Sequence, residues 1–439
     1  MTRNGYIVWW DNDWDMTTAA TELLDSIDSY RVICLTELGM MDPPNPLDGY
    51  FYNIYATNPG DYFEPNGWAQ GQGTDINGYP FLTLPNLWDL NSVAHEIFHV
   101  FQYNATSPGF TYSGDSQWYI EAAANWFAGQ INRDHPRGYI EAESLVRLPH
   151  VPLWLSYGNM PDEYPSNWQR FVHQYGLSVL LYYLTDFAGV DKEIIIGGLY
   201  AGTEESPQEY FYNQIGGELF RKHFMDWTAH MTNDFDFLDE EKRTHNLNEW
   251  NTYADADDDN EYTFIYTNEG SGGWVRPADD LITNAWSFNT FKLINSENMT
   301  YRFDLRGEAE GTYGDPSFFD ARIVVQSESG STIYDLDMAS DLIGDLTLAL
   351  TPSDTAIFFI VGSMPALFED SNPSFQKFKY DIKITTGFST ISELDLLNPK
   401  LEIARYNVMG QPIDQNYRGV QIILFDDGST KKIVRLDEF

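Results

Sequence analysis

The run His95-Glu96-Ile97-Phe98-His99 constrains this chain more than any other stretch. It lies inside Leu90 to Tyr103, where apolar residues recur at the spacing of a buried helix. Residues four apart on a helix stand one above the other on the same face. Both imidazoles therefore reach one metal ion, and Glu96 is carried beside them. Asp89 or Asn91 offers a helix start, since both side chains accept hydrogen bonds from the free N–H groups of a first turn. The fold must then supply what the motif lacks, because a catalytic zinc takes three protein ligands and keeps one position open.

The sequence limits where the third ligand lies. A His six residues beyond His99 is excluded: Ala105 stands there, and Gln102 occupies the place of the Gly that such a pattern needs. The next candidate is Glu121, in the Ala-rich, aromatic run Trp118 to Phe127, which is helical in propensity. Glu121 is the lone carboxylate of that run and lies 22 residues after His99, a gap that suits a second helix folded back beside the first. Asn125, one turn further along the same face, is placed to orient a metal-binding His. Gln102, three residues past His99, reads equally as support for a ligand, as a substrate contact or as an ordinary buried polar residue. In this reading zinc is the cofactor, His95, His99 and Glu121 hold it, and Glu96 takes a proton from the water it activates.

At these residues the chain resembles the gluzincins, zinc metallopeptidases with two His on HExxH and a Glu on a following helix. The segments HEIFHVFQ and WYIEAAANWFAG look like those of a family of secreted microbial metallopeptidases, over about the first half of the chain. The resemblance implies a zincin-like fold, His95, His99 and Glu121 as ligands, Glu96 as general base and a protein substrate. Further on, Trp168 to Phe187 is a strong helical run, and the resemblance supports Tyr175-Gly176 opening a helix that returns to the site. His173 and Tyr175 are the candidates to steady negative charge on an attacked carbonyl oxygen. For each, a plain core role competes.

Charge narrows the partners. Asp plus Glu number 66 against 25 Lys plus Arg, a net charge of −41 over 439 residues. Such a surface repels nucleic acid and anionic membranes. No stretch reaches the length of a transmembrane helix, so no membrane insertion is expected. With 43% hydrophobic and 16% aromatic residues the chain can build two or three cores. Cys34 is the one cysteine, so no intrachain disulfide forms, and it reads as a small buried side chain of a helical run from Ala19 to Leu38.

In chain order, strands are predicted at Tyr6 to Trp10, Tyr50 to Tyr55 and Tyr79 to Leu84, with an amphipathic helix from Thr17 to Leu38. Residues 58–77 are Gly-rich and read as turns. The strand just before the HExxH helix is placed to border the site and to take up an extended peptide by main-chain hydrogen bonds. A Pro-rich loop spans 134–167, and Pro207 to Met231 reads as helical. Composition changes near Asn246 to Tyr262. Beyond it six β-branched and aromatic runs (287–293, 299–305, 321–326, 346–350, 356–361 and 378–385) give the pattern of an antiparallel β-sandwich.

The expected class is α+β and multidomain. A zincin-like, mainly helical catalytic domain with a small sheet spans 1–250, a β-sandwich 260–388, and a small β-domain 393–439. Asp11, Asp13 and Asp15, and the cluster at Asp255, Asp257, Asp258 and Asp259, raise calcium as a second and weaker expectation. Caps, turns and a solvated linker are the stronger readings, since no calcium-loop Gly or bidentate Glu is at the required offset. His135, His150, His223, His230 and His245 have no partner at ligand spacing.

The last segment carries Asn407-Val408-Met409-Gly410-Gln411, a Gly before the apolar run 420–425, Asp427-Gly428 and Lys431-Lys432. It resembles the C-terminal sorting domain of type IX secretion in Bacteroidota. That resemblance implies a secreted or cell-surface protein whose leader is absent from this sequence, since Met1 to Trp10 has no apolar signal-peptide core. The expected function is a secreted zinc-dependent peptidase acting on proteins or glycoproteins. The rivals are a non-catalytic substrate- or glycan-binding protein on the same scaffold, and a glycan hydrolase using paired carboxylates such as Asp11 and Asp13.

Overall fold

The structure is a computed structural model that describes residues 1–42, 52–57, 70–74, 80–85, 90–102, 116–133, 142–155, 173–201, 205–233, 235–238, 240, 243, 264–266, 273–368, 376–388, 402–407, 410–413, 419–425 and 430–435. It is mixed α/β, with eight α-helices among the described residues and several antiparallel sheets.

The first sheet is built from β1 (Thr2–Arg3), β2 (Tyr6–Trp9), β3 (Tyr52–Ala56), β4 (Gln70–Thr74) and β5 (Pro80–Leu84), in the order β1-β2-β3-β5-β4. β2, β3 and β5 run parallel, while β1 and β4 are antiparallel to their neighbours. Tyr6, Val8, Tyr52, Ile54, Leu82 and Leu84 alternate onto the buried face, as the two-residue period of a strand requires. Helix α1 (Thr17–Val32) connects β2 to β3 and buries Ala20, Leu23, Leu24 and Ile27. It continues as a wider turn over Ile33–Glu37. There Gly39, at φ +63°, lets Met40 turn its N–H back onto the Cys34 carbonyl at 2.9 Å. Cys34 is fully buried, as expected.

Two predictions for this sheet are corrected. Residues 70–74 form a strand within the segment read as turns. Gly and Gln have little strand preference of their own, so β4 is defined by its pairing with β5. β5 is consequently flanked on both sides, and among the described residues β4 and β1 are the edge strands.

Helix α2 (Leu90–Gln102) carries the HExxH motif and α3 (Gln117–Ile131) carries Glu121. Asn91 is the second residue of α2 and lies inside the helix rather than capping it; Asp89 falls outside the described residues. α3 is buried almost throughout, packed between α2 and α5 (Ser178–Tyr182). The remaining helices are α4 (Glu143–Arg147), α6 (Lys192–Gly197), α7 (Pro207–Ile215) and α8 (Gly217–Thr232). Trp118 donates to Gln208 on α7 at 3.0 Å, and the Tyr119 hydroxyl donates to the Ile195 carbonyl on α6. The predicted helix over Pro207 to Met231 is two helices, broken where Gly216 adopts φ +95°.

All six predicted β-runs are strands. β6 (Phe264–Tyr266), β7 (Ser287–Ile294), β8 (Met299–Gly307), β9 (Phe319–Ser327), β10 (Gly330–Asp335), β11 (Asp337–Met338), β12 (Ile343–Leu350), β13 (Asp354–Ser363) and β14 (Tyr380–Phe388) form two sheets, β10-β9-β13-β7-β6 and β11-β12-β8-β14. Every pair is antiparallel except β6–β7, which is parallel. Phe303 of one sheet meets Phe359 of the other edge-on, and Tyr380 meets Phe291 and Phe319 in the same way. β8 alternates Tyr301, Phe303 and Leu305 inward with Arg302 and Arg306 outward. β13 does not alternate, because it is covered on both faces: Phe224 and Met225 of α8 pack against Gly362. One apolar core is therefore continuous from the helices into these sheets.

The buried Arg322 on β9 reinforces this junction, bonding Asp226 of α8 at 2.9 Å and Asp320 at 2.8 Å. β15 (Glu402–Asn407), β16 (Gly419–Phe425) and β17 (Thr430–Arg435) make a separate three-stranded antiparallel sheet. Among the described residues no helix is long and apolar enough to cross a membrane.

Candidate metal centre

α2 and α3 pack side by side and turn their polar residues toward each other, while Val93, Ile97, Phe101, Trp118 and Trp126 are buried in apolar packing around them. Imidazole Nε2 atoms of His95 and His99 stand 3.0 Å apart. Glu121 Oε2 lies 3.1 Å from the first and 3.4 Å from the second. Three donors held 2.0–2.2 Å from one zinc at tetrahedral angles stand about 3.3–3.6 Å apart, close to the spacing seen here. The spacing thus fits one small ion, and among the described residues this is the one His, Cys, Asp or Glu cluster that converges in this way.

The chemistry of the donors agrees with the distances. His95 Nδ1 lies 2.8 Å from Asn125 Oδ1, and His99 Nδ1 lies 2.6 Å from Gln102 Oε1. An amide oxygen only accepts, so both rings carry a proton on Nδ1 and turn Nε2 toward Glu121. Three lone-pair atoms this close are stable only with positive charge among them, from a proton or a metal ion. Burial alone would push the Glu121 carboxyl up, but the charges and hydrogen bonds of His99 and His95 hold it well below the usual carboxylate range. Burial would lower His99, yet Glu121, Glu96 and Gln102 together raise it to about 9. Each group favours the charged form of the other.

The structure brings together His95, Glu96, His99, Gln102, Glu121 and Asn125, all buried on the facing helices. Tyr175, in a helical turn at 173–176, stacks on the His95 ring with centroids 6.0 Å apart and planes 19° from parallel. His173 turns instead to the main chain, with Nε2 3.1 Å from the Leu153 carbonyl. It braces the segment 149–153, which bonds to residues 284–288 at the start of β7. Burial pushes His173 down to about 4, so it is neutral there.

Tyr182 is a supporting residue that the sequence reading did not single out. Its hydroxyl donates to the Asn125 carbonyl at 2.9 Å and the Trp126 carbonyl at 3.2 Å. The signal for it is Gly129, a Gly inside the last turn of an otherwise strong helix. Asp11 and Asp15 are engaged locally, accepting from the N–H groups of Asp13 at 2.9 Å and Thr17 at 3.3 Å, as turn and helix-entry residues do. The acidic cluster at 255–259 lies outside the described residues.

Fold and site together define a mixed α/β protein with a buried two-histidine, one-glutamate cluster able to hold a metal ion. The chain belongs to a family of unknown function, DUF6055, whose model matches residues 11–389, a span that holds the helix pair and the two sheets formed by β6 to β14. No curated protein matches it. Among solved structures, a protein from Sulfurospirillum deleyianum aligns at 10% identity over 26% of this chain and 98% of its own, with a TM-score of 0.16, a likeness too slight to define the fold.

Proposed function

We propose that this chain is a zinc-dependent peptidase that hydrolyses peptide bonds of proteins or glycoproteins. The observation that carries the reading is the convergence of His95 Nε2, His99 Nε2 and Glu121 Oε2 on one helix pair, with the buried Glu96 carboxylate near enough to favour a charged His99. A zinc ion held there supplies Lewis acidity, polarising a carbonyl and lowering the pKa of a water toward about 7. Glu96 takes one proton of the attacking water on its carboxylate and passes it to the leaving amine, so the water's atoms end on the new acid and the new amine. Its burial excludes bulk water from that transfer. Tyr175, stacked beside His95, is the better-supported donor to the carbonyl oxygen, a role worth about 3 kcal/mol in such sites. His173 has its Nε2 engaged with Leu153 and is the weaker candidate.

β4, an edge strand among the described residues, suits an extended peptide, which would pair with it through main-chain hydrogen bonds. On this reading the first half is zincin-like and the two facing sheets are a β-sandwich that braces it. The three-stranded C-terminal sheet serves export to the cell surface or beyond.

The test is zinc content per chain with peptide turnover, for wild type, His99→Ala and Glu96→Gln. One zinc per chain, lost in His99→Ala, and turnover reduced at least about 100-fold in Glu96→Gln with zinc kept, is expected. Normal turnover in Glu96→Gln would end the mechanism. No zinc bound even when offered would leave the binding-protein reading in its place.

A further inference from the structure

We propose, on the reading that His95, His99 and Glu121 hold a metal ion, that Gln102 is a positioning residue coupling two of those ligands across the helix pair. Its Oε1 accepts from His99 Nδ1 at 2.6 Å, and its Nε2 donates to the Ile120 carbonyl at 2.9 Å. Ile120 immediately precedes Glu121 on α3. One side chain therefore sets the orientation of a ligand on α2 and the main-chain position of a ligand on α3.

The amide is fixed by chemistry as well as by space. A carbonyl only accepts, so the nitrogen of Gln102 must face Ile120 and its oxygen must face His99. With Nδ1–H given to that oxygen, His99 presents Nε2 to the ion and loses the freedom to flip its ring. Gln102 is fully buried, so water does not compete for either bond. Asn125 performs the reciprocal service from α3, orienting His95 on α2. Both histidines of α2 are thus oriented by amides that tie them to α3, and the ligand triangle is preformed by protein–protein bonds alone. Partners that orient ligating His residues in this way typically contribute about 10- to 100-fold in metal affinity.

The test measures zinc affinity by chelator competition, and the visible spectrum of the cobalt(II)-loaded protein, for wild type, Gln102→Met, Gln102→Glu and His99→Ala. Gln102→Met keeps shape and removes both bonds. It should bind zinc about 10- to 100-fold more weakly and show an altered cobalt spectrum. Gln102→Glu keeps an acceptor for His99 but sets a second acceptor against the Ile120 carbonyl, so it should bind zinc more tightly than Gln102→Met and more weakly than wild type, a partial rescue that mere packing does not predict. Should Gln102→Met not fold, Gln102→Asn, one carbon too short to span both partners, replaces it with the same expected loss. Wild-type affinity and spectrum in Gln102→Met, or no rescue by Gln102→Glu, would overturn the assignment. Failure of wild type itself to bind zinc, or undiminished binding by His99→Ala, would instead overturn the metal reading beneath it.

Discussion

The Tyr182 hydroxyl reaches the Asn125 carbonyl at 2.9 Å through space that only a glycine at 129 leaves open. A Cβ on Gly129 would meet that hydroxyl oxygen at 1.8 Å and the ring Cζ at 2.8 Å. α5 therefore presses directly on the helix that supplies Glu121 and Asn125.

Gly129→Ala should destabilise the protein by about 1–3 kcal/mol, the usual consequence of overpacking a full core. Tyr182→Phe should cost about 1 kcal/mol through its lost hydrogen bonds. Removing the hydroxyl also relieves the worst of the clash, so the double variant should be more stable than the two losses added together. Denaturant unfolding of all four proteins measures this, and strict additivity would mean that the two residues do not meet.

Metal binding should appear as stability. An ion that binds only the folded state adds about 4 kcal/mol when free metal is a thousandfold above its Kd. Chelation should therefore lower the Tm of wild-type protein and leave the Tm of Glu121→Ala where it was. A wild-type melting curve indifferent to both zinc and chelator contradicts the centre.

Arg322 is buried against Asp226 and Asp320, whereas its third partner, Asp335, is largely exposed. Arg322→Met should destabilise by roughly 3 kcal/mol, because Asp320 loses its cation and Asp226 keeps only the more exposed Lys222. Asp335→Asn should change stability by less than about 1 kcal/mol, since water already screens that pair. Equal effects of the two substitutions in urea titrations would refute this account of the junction between α8 and β9.

Acid should weaken the fold through two buried imidazoles. Burial pushes both His150 and His173 down to about 4. The unfolded chain protonates them near 6.5, so between about pH 6.5 and 4 the unfolded state binds more protons than the folded one. Their contribution is complete above about 6.5 and falls as pH drops, by about 3 kcal/mol for each group. His173→Gln keeps a donor for Leu153 and removes the titration. Its loss of stability from pH 7.5 to pH 4.5 should be about 3 kcal/mol smaller than that of wild type, and an identical loss would show that His173 does not titrate in this window.

Sequence alone determined the helix pair and the three side chains that converge between them. HExxH at helical spacing and a lone Glu in an Ala-rich helix are local patterns, and a four-residue period on a buried helix admits one arrangement of the side chains. The six β-runs were legible for the same reason, since β-branched and aromatic residues suit a half-buried pleated surface. Tertiary structure decided what depends on partners distant in sequence. β4 exists because β5 pairs with its Gln and Gly backbone. β13 is buried on both faces because α8 covers it. His173 and Tyr175 were equal in sequence, but the fold carries one to the Leu153 carbonyl and stacks the other on His95. Gln102 had three open readings until the Ile120 carbonyl fixed its amide. Periodicity reports which face of an element is buried. It carries no record of which atom waits on the other side, and hydrogen-bond direction is set by that atom.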